Sequence, residues 1–181
     1  MKGMIFTEFL EMVEETFSLS VADRVIEASH LSTGGAYTAV GTYPHSEMVE
    51  LVVNLSKETN VPVPVLLHSF GERLFQRFAV RYAHFLTYVP SAFAFLEILE
   101  SYVHVEVKKL YPEAELPKFE CNKLPDGSMT MLYQSNRSMA DLAQGLMEGC
   151  FHHFGENIHI EREDLSGGVG SVVRFILTPV A

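Results

Sequence analysis

Apolar residues in the first two-thirds of the chain recur with the period of an α-helix. Between residues 4 and 17 they return every three or four positions, which places them on one helical face. The same period continues in four later segments, each bounded by capping residues or proline. It predicts helices over about 21–30, 46–57, 64–88 and 91–111. Pro90 and Pro112 follow the last two, because proline cannot continue the hydrogen-bond ladder.

Side chains that can cap a helix predict where two of these helices begin. Ser20 followed by Asp23 resembles a capping box, so the second helix is expected to begin beside Ser20. Ser46 is the expected cap of the third helix, with Glu47 and Glu50 favourably placed in the first turn.

The last third alternates apolar and polar residues, which is typical of strands. FECNKL and MTMLYQS flank the turn PDGS, and NIHIERED and SVVRFILTP flank LSGGVG, so two hairpins are predicted. Between them, a helical period over about 139–154 ends at Gly155. The fold class is therefore α+β in one domain. We expect an N-terminal helical subdomain of about residues 1–60, followed by a C-terminal subdomain of about residues 61–181 that holds an antiparallel sheet.

Composition narrows the classes of partner. The formal net charge is −10, which disfavours nucleic acid and anionic membrane surfaces, because binding phosphate requires clustered Lys and Arg. The start of the sequence lacks the features of a signal peptide, and no segment has the ~20 apolar residues of a membrane span. A cytoplasmic protein is expected. The 13 phenylalanines leave aromatic side chains available to line a pocket.

The stretch YQSNR places three hydrogen-bond donors two residues apart. If it is extended, Tyr133, Ser135 and Arg137 point to the same face of a strand. Such a face can bind a carboxylate or phosphate, but the polar side of any half-buried strand has the same pattern. Strand periodicity alone favours the second interpretation.

Histidine is the other residue type that could bind a ligand or take part in catalysis. His104 falls about 140° from Leu99 on a regular helix, at the flank of the apolar stripe, so periodicity predicts a surface histidine. There is no GxSxG nucleophile elbow. SGGVG is not a phosphate-binding loop, because such a loop precedes a helix and SGGVG lies between two strands.

One hypothesis joins the remaining features. A flat apolar cofactor with carboxylate tails, namely haem, would use an aromatic pocket, one histidine and the YxSxR donors together.

Three segments, taken in order, resemble the haem-nitric oxide/oxygen binding (H-NOX) family along essentially the whole chain. They are MKGMIF at the N-terminus, VHVEVKKLYPEAELP, and YQSNR, which matches the family's YxSxR signature. The resemblance implies a fold in which the sheet and its packed helices enclose a haem b group. It also implies a stand-alone bacterial sensor and not an enzyme.

The resemblance assigns a role to each matching residue. His104 would be the proximal iron ligand, and Tyr133, Ser135 and Arg137 would hold the haem propionates. Ile5 and Pro117 match positions that press on the haem plane. Family members that hold O₂ have a tyrosine donor in the distal pocket, supported by Trp and Asn. The matching residues here are Leu142, Phe9 and Leu74, all apolar.

These apolar residues predict a ferrous haem that binds NO and CO without holding O₂. The resemblance further implies that NO weakens the bond from iron to His104, and that the resulting change of shape is passed to a separate protein. A histidine kinase or a cyclic-di-GMP enzyme is the expected partner. Two alternatives stay open: a haem-free module that binds an apolar carboxylate, and a haem peroxidase. The apolar distal residues argue against the peroxidase.

Overall fold

The computed structural model describes residues 1–180 and has the predicted α+β architecture. Residues 1–180 form seven α-helices, a 3-10 turn, a π-helical segment and a four-stranded sheet. In chain order the elements are α1 (Gly3–Thr16), α2 (Leu19–Glu27), α3 (His45–Thr59), α4 (Val63–Arg81), the 3-10 turn (Ala83–Phe85), α5 (Ala92–Ile98), the π-helical segment (Leu99–Val103), α6 (His104–Leu110), β1 (Lys118–Lys123), β2 (Met129–Gln134), α7 (Ala140–Phe154), β3 (Ile158–Asp164) and β4 (Val172–Pro179).

Two helices begin differently from the prediction. The cap of α2 is Ser18, whose Oγ accepts a hydrogen bond from the Val21 amide at 3.3 Å, so Ser20 already lies inside the helix. Helix α3 begins at His45 directly after Pro44, and no side chain caps it. Ser46 is therefore part of the first turn, and its prediction as a cap is wrong.

The helices predicted over about 64–88 and 91–111 are shorter or less regular than their apolar period suggests. Helix α4 ends at Arg81 because Tyr82 leaves helical geometry, with φ −122° and ψ 39°. The segment predicted over about 91–111 is interrupted by the π-helical segment Leu99–Val103. A π-helix places an extra residue in each turn, so every residue after it is rotated relative to a regular helix.

The predicted hairpins form one antiparallel sheet in the order β1-β2-β4-β3. Phe119 on β1 pairs with Tyr133 on β2, which pairs with Val173 on β4. Alternate residues of β2 and β4 face the helices and are buried, as period-2 patterning requires.

Helices α4 and α7 pack closely against each other at glycines. A Cβ built on Gly145 would overlap the carbonyl oxygen of His68, and one on Gly71 would overlap the carbonyl oxygen of Leu142. The backbones can approach this closely only because these positions lack side chains. Gly155 ends α7 with φ 67°, as predicted.

Two apolar clusters lie on either side of this helix pair. The N-terminal cluster joins α1, α2 and α3 to one face of α4, with Phe9, Leu51 and Phe70 at its centre. The C-terminal cluster joins the sheet to α5 and α7. Leu146 on α7 packs against both clusters. Within residues 1–180, no helix is long and apolar enough to cross a membrane. A subdomain boundary near residue 60 stays a prediction.

Candidate functional site

His104 is the first residue of α6 and points inward. Its side chain is only 13% exposed, so the surface position predicted from periodicity is wrong. The cause is the π-helical segment directly before it, which rotates α6 away from the phase of a regular helix.

One carboxylate oxygen fixes the orientation of the His104 ring. Glu100 Oε1 lies 2.9 Å from His104 Nδ1 and accepts a hydrogen bond from the Phe119 amide, also at 2.9 Å. Because a carboxylate only accepts, Nδ1 carries the proton and Nε2 presents a lone pair. Nε2 has no hydrogen-bond partner among residues 1–180.

The environment of His104 favours the neutral imidazole. Burial lowers its pKa, and the nearby Glu100 carboxylate only partly opposes that effect. A neutral imidazole with a free Nε2 is the form that ligates metal ions, including haem iron.

The YxSxR residues are not on one strand face. Tyr133 is in β2 and 2% exposed, whereas Ser135 and Arg137 follow the strand in the turn that leads to α7. The strand-face prediction is therefore wrong, because β2 ends at Gln134. The turn has its own hydrogen bonds: the Arg137 amide donates to Ser135 Oγ at 3.1 Å, and the Met139 amide donates to Tyr133 Oη at 3.1 Å.

The three side chains nevertheless form one polar group. Burial raises the pKa of Tyr133, although a hydrogen bond from Ser135 and the charge of Arg137 partly oppose this. The phenol therefore stays protonated at neutral pH and can donate. Arg137 Nη2 donates to Glu115 Oε2 at 3.0 Å, and the Glu115 side chain is 83% exposed. Such an exposed ion pair is weak and can be exchanged for another carboxylate.

A single aromatic ring connects His104 with this polar group. The centroid of the Phe119 ring lies 6.0 Å from that of His104 and 5.6 Å from that of Tyr133. Pairing between β1 and β2 places Phe119 directly opposite Tyr133. The predicted metal ligand and the predicted anion-binding residues thus lie at two ends of the same region.

The predicted distal residues also come together, in the N-terminal cluster. Phe9 on α1 and Leu74 on α4 are fully buried there, and Ile5 and Leu142 pack against the cluster while partly exposed. The Phe9 ring contacts that of Phe70 edge to face, with centroids 5.2 Å apart. Pro117 lies elsewhere, half-buried in the segment between α6 and β1.

Apolar side chains of both clusters remain partly exposed beside the helix pair. Examples are Ile5, Phe78 and Leu142 on the N-terminal cluster, Leu99, Val103 and Phe119 on the C-terminal cluster, and Leu146 on both. A flat apolar ligand would cover such surface. The remaining groups fit haem as well, because they supply one neutral imidazole nitrogen for iron and two hydroxyls with a guanidinium for two carboxylates.

Comparison with known proteins identifies the family. A family model described as Haem-NO-binding matches residues 2–162. The chain belongs to this H-NOX family. The resemblance found in the three sequence segments is therefore confirmed, as is the α+β fold.

Solved H-NOX structures from bacteria share the fold over the whole chain. The H-NOX protein from K. algicida, in the unliganded Fe(II) state, is 39% identical, with a TM-score of 0.95, covering 100% of this chain and 97% of that one. The H-NOX protein from Shewanella woodyi, bound to IWP-051 in the Fe(II)CO state, is 38% identical, with a TM-score of 0.85 and coverage of 99% and 95%.

The H-NOX protein from S. oneidensis in the Fe(II)NO state is 25% identical, with a TM-score of 0.92, and each chain is covered in full. The comparison with curated proteins gave no match. The H-NOX family consists of haem-binding gas sensors, so the chain belongs to that class.

Sequence reasoning missed Glu100 and Phe119, the two residues that hold His104 in place. The spacing of Glu100 and His104, four apart, was a readable signal for a side-chain pair on one helix. The contact with Phe119 spans 19 residues and depends on how β1 docks beside the π-helical segment, so no local pattern could show it.

Proposed function

We propose that this H-NOX protein binds haem b with His104 as the iron ligand and senses nitric oxide. One observation carries the proposal: the buried His104 ring has Nδ1 held by Glu100 and Nε2 free, in the same region as Tyr133, Ser135 and Arg137. When bound, haem supplies the ferrous iron at which the gas binds.

Tyr133, Ser135 and Arg137 are proposed to hold the propionates. Burying a carboxylate is costly unless it is paired and hydrogen-bonded. Arg137 would supply the charge if a propionate replaced the exposed Glu115, and the protonated Tyr133 would supply a neutral donor. Ile5 and Pro117 are proposed to press on the haem plane, as the family resemblance implies.

The distal residues determine the proposed choice of gas. Phe9, Leu74 and Leu142 offer no hydrogen-bond donor. Two tyrosine hydroxyls near α1 already donate elsewhere, Tyr37 to Glu47 and Tyr82 to the sulfur of Met4. Bound O₂ carries partial negative charge and gains about 1–3 kcal/mol from a donor, whereas NO and CO depend on one much less. We therefore propose that NO and CO bind and that O₂ is not held. The NO and CO states of the relatives support the first part.

The signal is proposed to leave as a change of conformation. Release of His104 from iron would free α6, and a separate protein would respond, with a histidine kinase or a cyclic-di-GMP enzyme as the expected class. In this proposal the chain is a sensor without catalytic activity of its own.

Absorption spectra of the purified, haem-reconstituted protein test the proposal. We expect a Soret band, spectral changes with NO and CO, and no stable oxy spectrum in air. His104→Ala should lose the iron–histidine spectrum and recover it with added imidazole. The control His30→Ala removes a histidine whose side chain is 95% exposed and should change nothing. A protein that takes up no haem would instead support the haem-free carboxylate-binding module, and a stable oxy complex would contradict O₂ exclusion.

A further inference from the structure

Glu100 links the predicted iron ligand to the sheet through a single atom. Its Oε1 lies 2.9 Å from His104 Nδ1 and 2.9 Å from the Phe119 amide nitrogen. The carboxylate therefore holds two groups that are 15 residues apart in the chain and belong to different elements, α6 and β1.

Local structure explains why Glu100 reaches both groups. Glu100 is the second residue of the π-helical segment, and its side chain lies beside that of His104 four residues later. Strand β1 is an edge of the sheet, so only one side of its backbone pairs with β2. The Phe119 amide would otherwise lack a partner within the sheet, and the carboxylate supplies one.

We propose that Glu100 is a positioning residue that strengthens His104 as an iron ligand and couples its position to strand β1. The proposal rests on the proposed function, because it takes His104 as the iron ligand. A carboxylate that accepts the Nδ1 proton fixes the tautomer and ring orientation and makes Nε2 a stronger donor to metal. Removing such a partner typically weakens ligation about 10- to 100-fold.

The same contact gives a physical route from the ligand to the sheet. Displacement of α6 while both contacts of Glu100 hold must move β1 with it, because Glu100 bonds His104 at the start of α6 and the Phe119 amide on β1. Phe119 is paired with Tyr133, so movement of β1 reaches the predicted propionate-binding residues. Glu100 would thus influence two properties. One is how readily His104 dissociates from iron, and the other is whether a displacement of α6 is transmitted to β1.

A simpler role is that Glu100 only stabilises the helix. Glu106 offers a comparison, since it lies on α6 and makes a side-chain ion pair with Lys109 at 2.6 Å without contacting His104. A helix-stabilising role predicts that loss of either carboxylate has a similar small effect. The positioning role predicts that only Glu100 affects the iron–histidine bond.

The test compares haem-loaded wild type, Glu100→Gln, Glu100→Ala and the control Glu106→Gln. Resonance Raman spectra of the ferrous proteins report the iron–histidine stretch, and stopped-flow absorption reports the rate at which NO breaks that bond. We expect Glu100→Gln to lower the stretching frequency and raise the rate about tenfold or more. Glu106→Gln should match wild type. In Glu100→Ala, hydrogen exchange at the Phe119 amide should also become faster.

The outcomes separate this inference from the function on which it rests. Wild type without a Soret band would overturn both. Normal Soret bands, with the stretch and the NO rate of both Glu100 variants equal to wild type, would overturn the role of Glu100 alone. Equal shifts in Glu100→Gln and Glu106→Gln would also overturn it, because they would indicate a general effect of charge or helix stability.

Discussion

The backbone of Gly145 on α7 lies against the carbonyl oxygen of His68 on α4, with no room for a side-chain carbon between them. This contact determines how closely the helix pair between the two apolar clusters can approach. Any residue larger than glycine must push α4 and α7 apart, and with them the cluster surfaces on which Leu142 and Leu146 lie.

Gly145→Ala should therefore destabilise the protein. Overpacking a tight contact costs about 1–3 kcal/mol, and overlap with a backbone atom puts this change at the upper end of that range. Urea unfolding followed by circular dichroism gives the free energy of unfolding. The control Gln76→Ala, at an exposed position on α4, should stay within about 0.5 kcal/mol of wild type. Equal stability of Gly145→Ala and wild type would show that the helices can separate without cost.

Glu47 should make stability depend on acid pH. This buried carboxylate accepts hydrogen bonds from the Ser32 hydroxyl at 2.6 Å and the Tyr37 hydroxyl at 2.7 Å. Burial alone would raise the pKa of Glu47, but these hydrogen bonds outweigh it and the pKa lies below 4.5. Because the folded-state pKa is depressed, the stabilisation is present above about pH 4.5 and lost as pH falls through the folded-state value.

Glu47→Gln should therefore be less stable than wild type by about 1–3 kcal/mol near neutral pH, and the difference should shrink towards pH 3. Chemical unfolding at several pH values measures it. Glu14→Gln on α1 is the control, since Glu14 is exposed and its side chain makes no hydrogen bond or ion pair with any of residues 1–180. A difference that grows as the pH falls would contradict the assigned direction.

The sequence predicted those elements whose signal is local. The hairpin turns, the end of α7 at Gly155 and the apolar period of α1 each depend on a few neighbouring residues, and all are present in the structure. The placement of His104 could not be predicted this way. A helical wheel assumes a constant turn, and the π-helical segment breaks that assumption one residue before His104.

The YxSxR motif is a different case: the predicted strand face is wrong, and the predicted role in binding carboxylates stays a proposal. Ser135 and Arg137 lie outside β2, yet the turn gathers them beside Tyr133. Alternation along a strand could not reveal this grouping, because the turn is determined by hydrogen bonds to Ser135 Oγ and Tyr133 Oη.

Arg137→Ala should weaken haem retention more than it weakens the fold. The guanidinium supplies the only positive charge of the YxSxR group, whereas its partner in the structure is the exposed Glu115. Hydrogen bonds to charged groups contribute about 1.5–3 kcal/mol, so transfer of haem to apomyoglobin should be roughly ten- to a hundredfold faster. Chemical unfolding of the apoprotein should change little.

Glu115→Ala is the matched control for Arg137. It removes the competing carboxylate and leaves the guanidinium, so haem transfer should be as slow as in wild type or slower. Unchanged haem transfer in Arg137→Ala would show that the YxSxR residues have a purely structural role.

Leu142→Tyr should allow the ferrous haem protein to hold O₂ more strongly. Leu142 is partly exposed on α7 and packs against the cluster that contains Phe9 and Leu74, so a hydroxyl there would enter an otherwise apolar region. One new hydrogen bond to bound O₂ corresponds to about 1–3 kcal/mol, or roughly ten- to a hundredfold in affinity.

Leu142→Phe is the control, because it adds the ring without the hydroxyl and should leave O₂ affinity low. Oxygen titration of the reduced proteins, followed at the Soret band, measures the difference. Equal O₂ affinity in Leu142→Tyr and Leu142→Phe would show that this position does not face the gas, and the O₂ exclusion proposed here would need another cause.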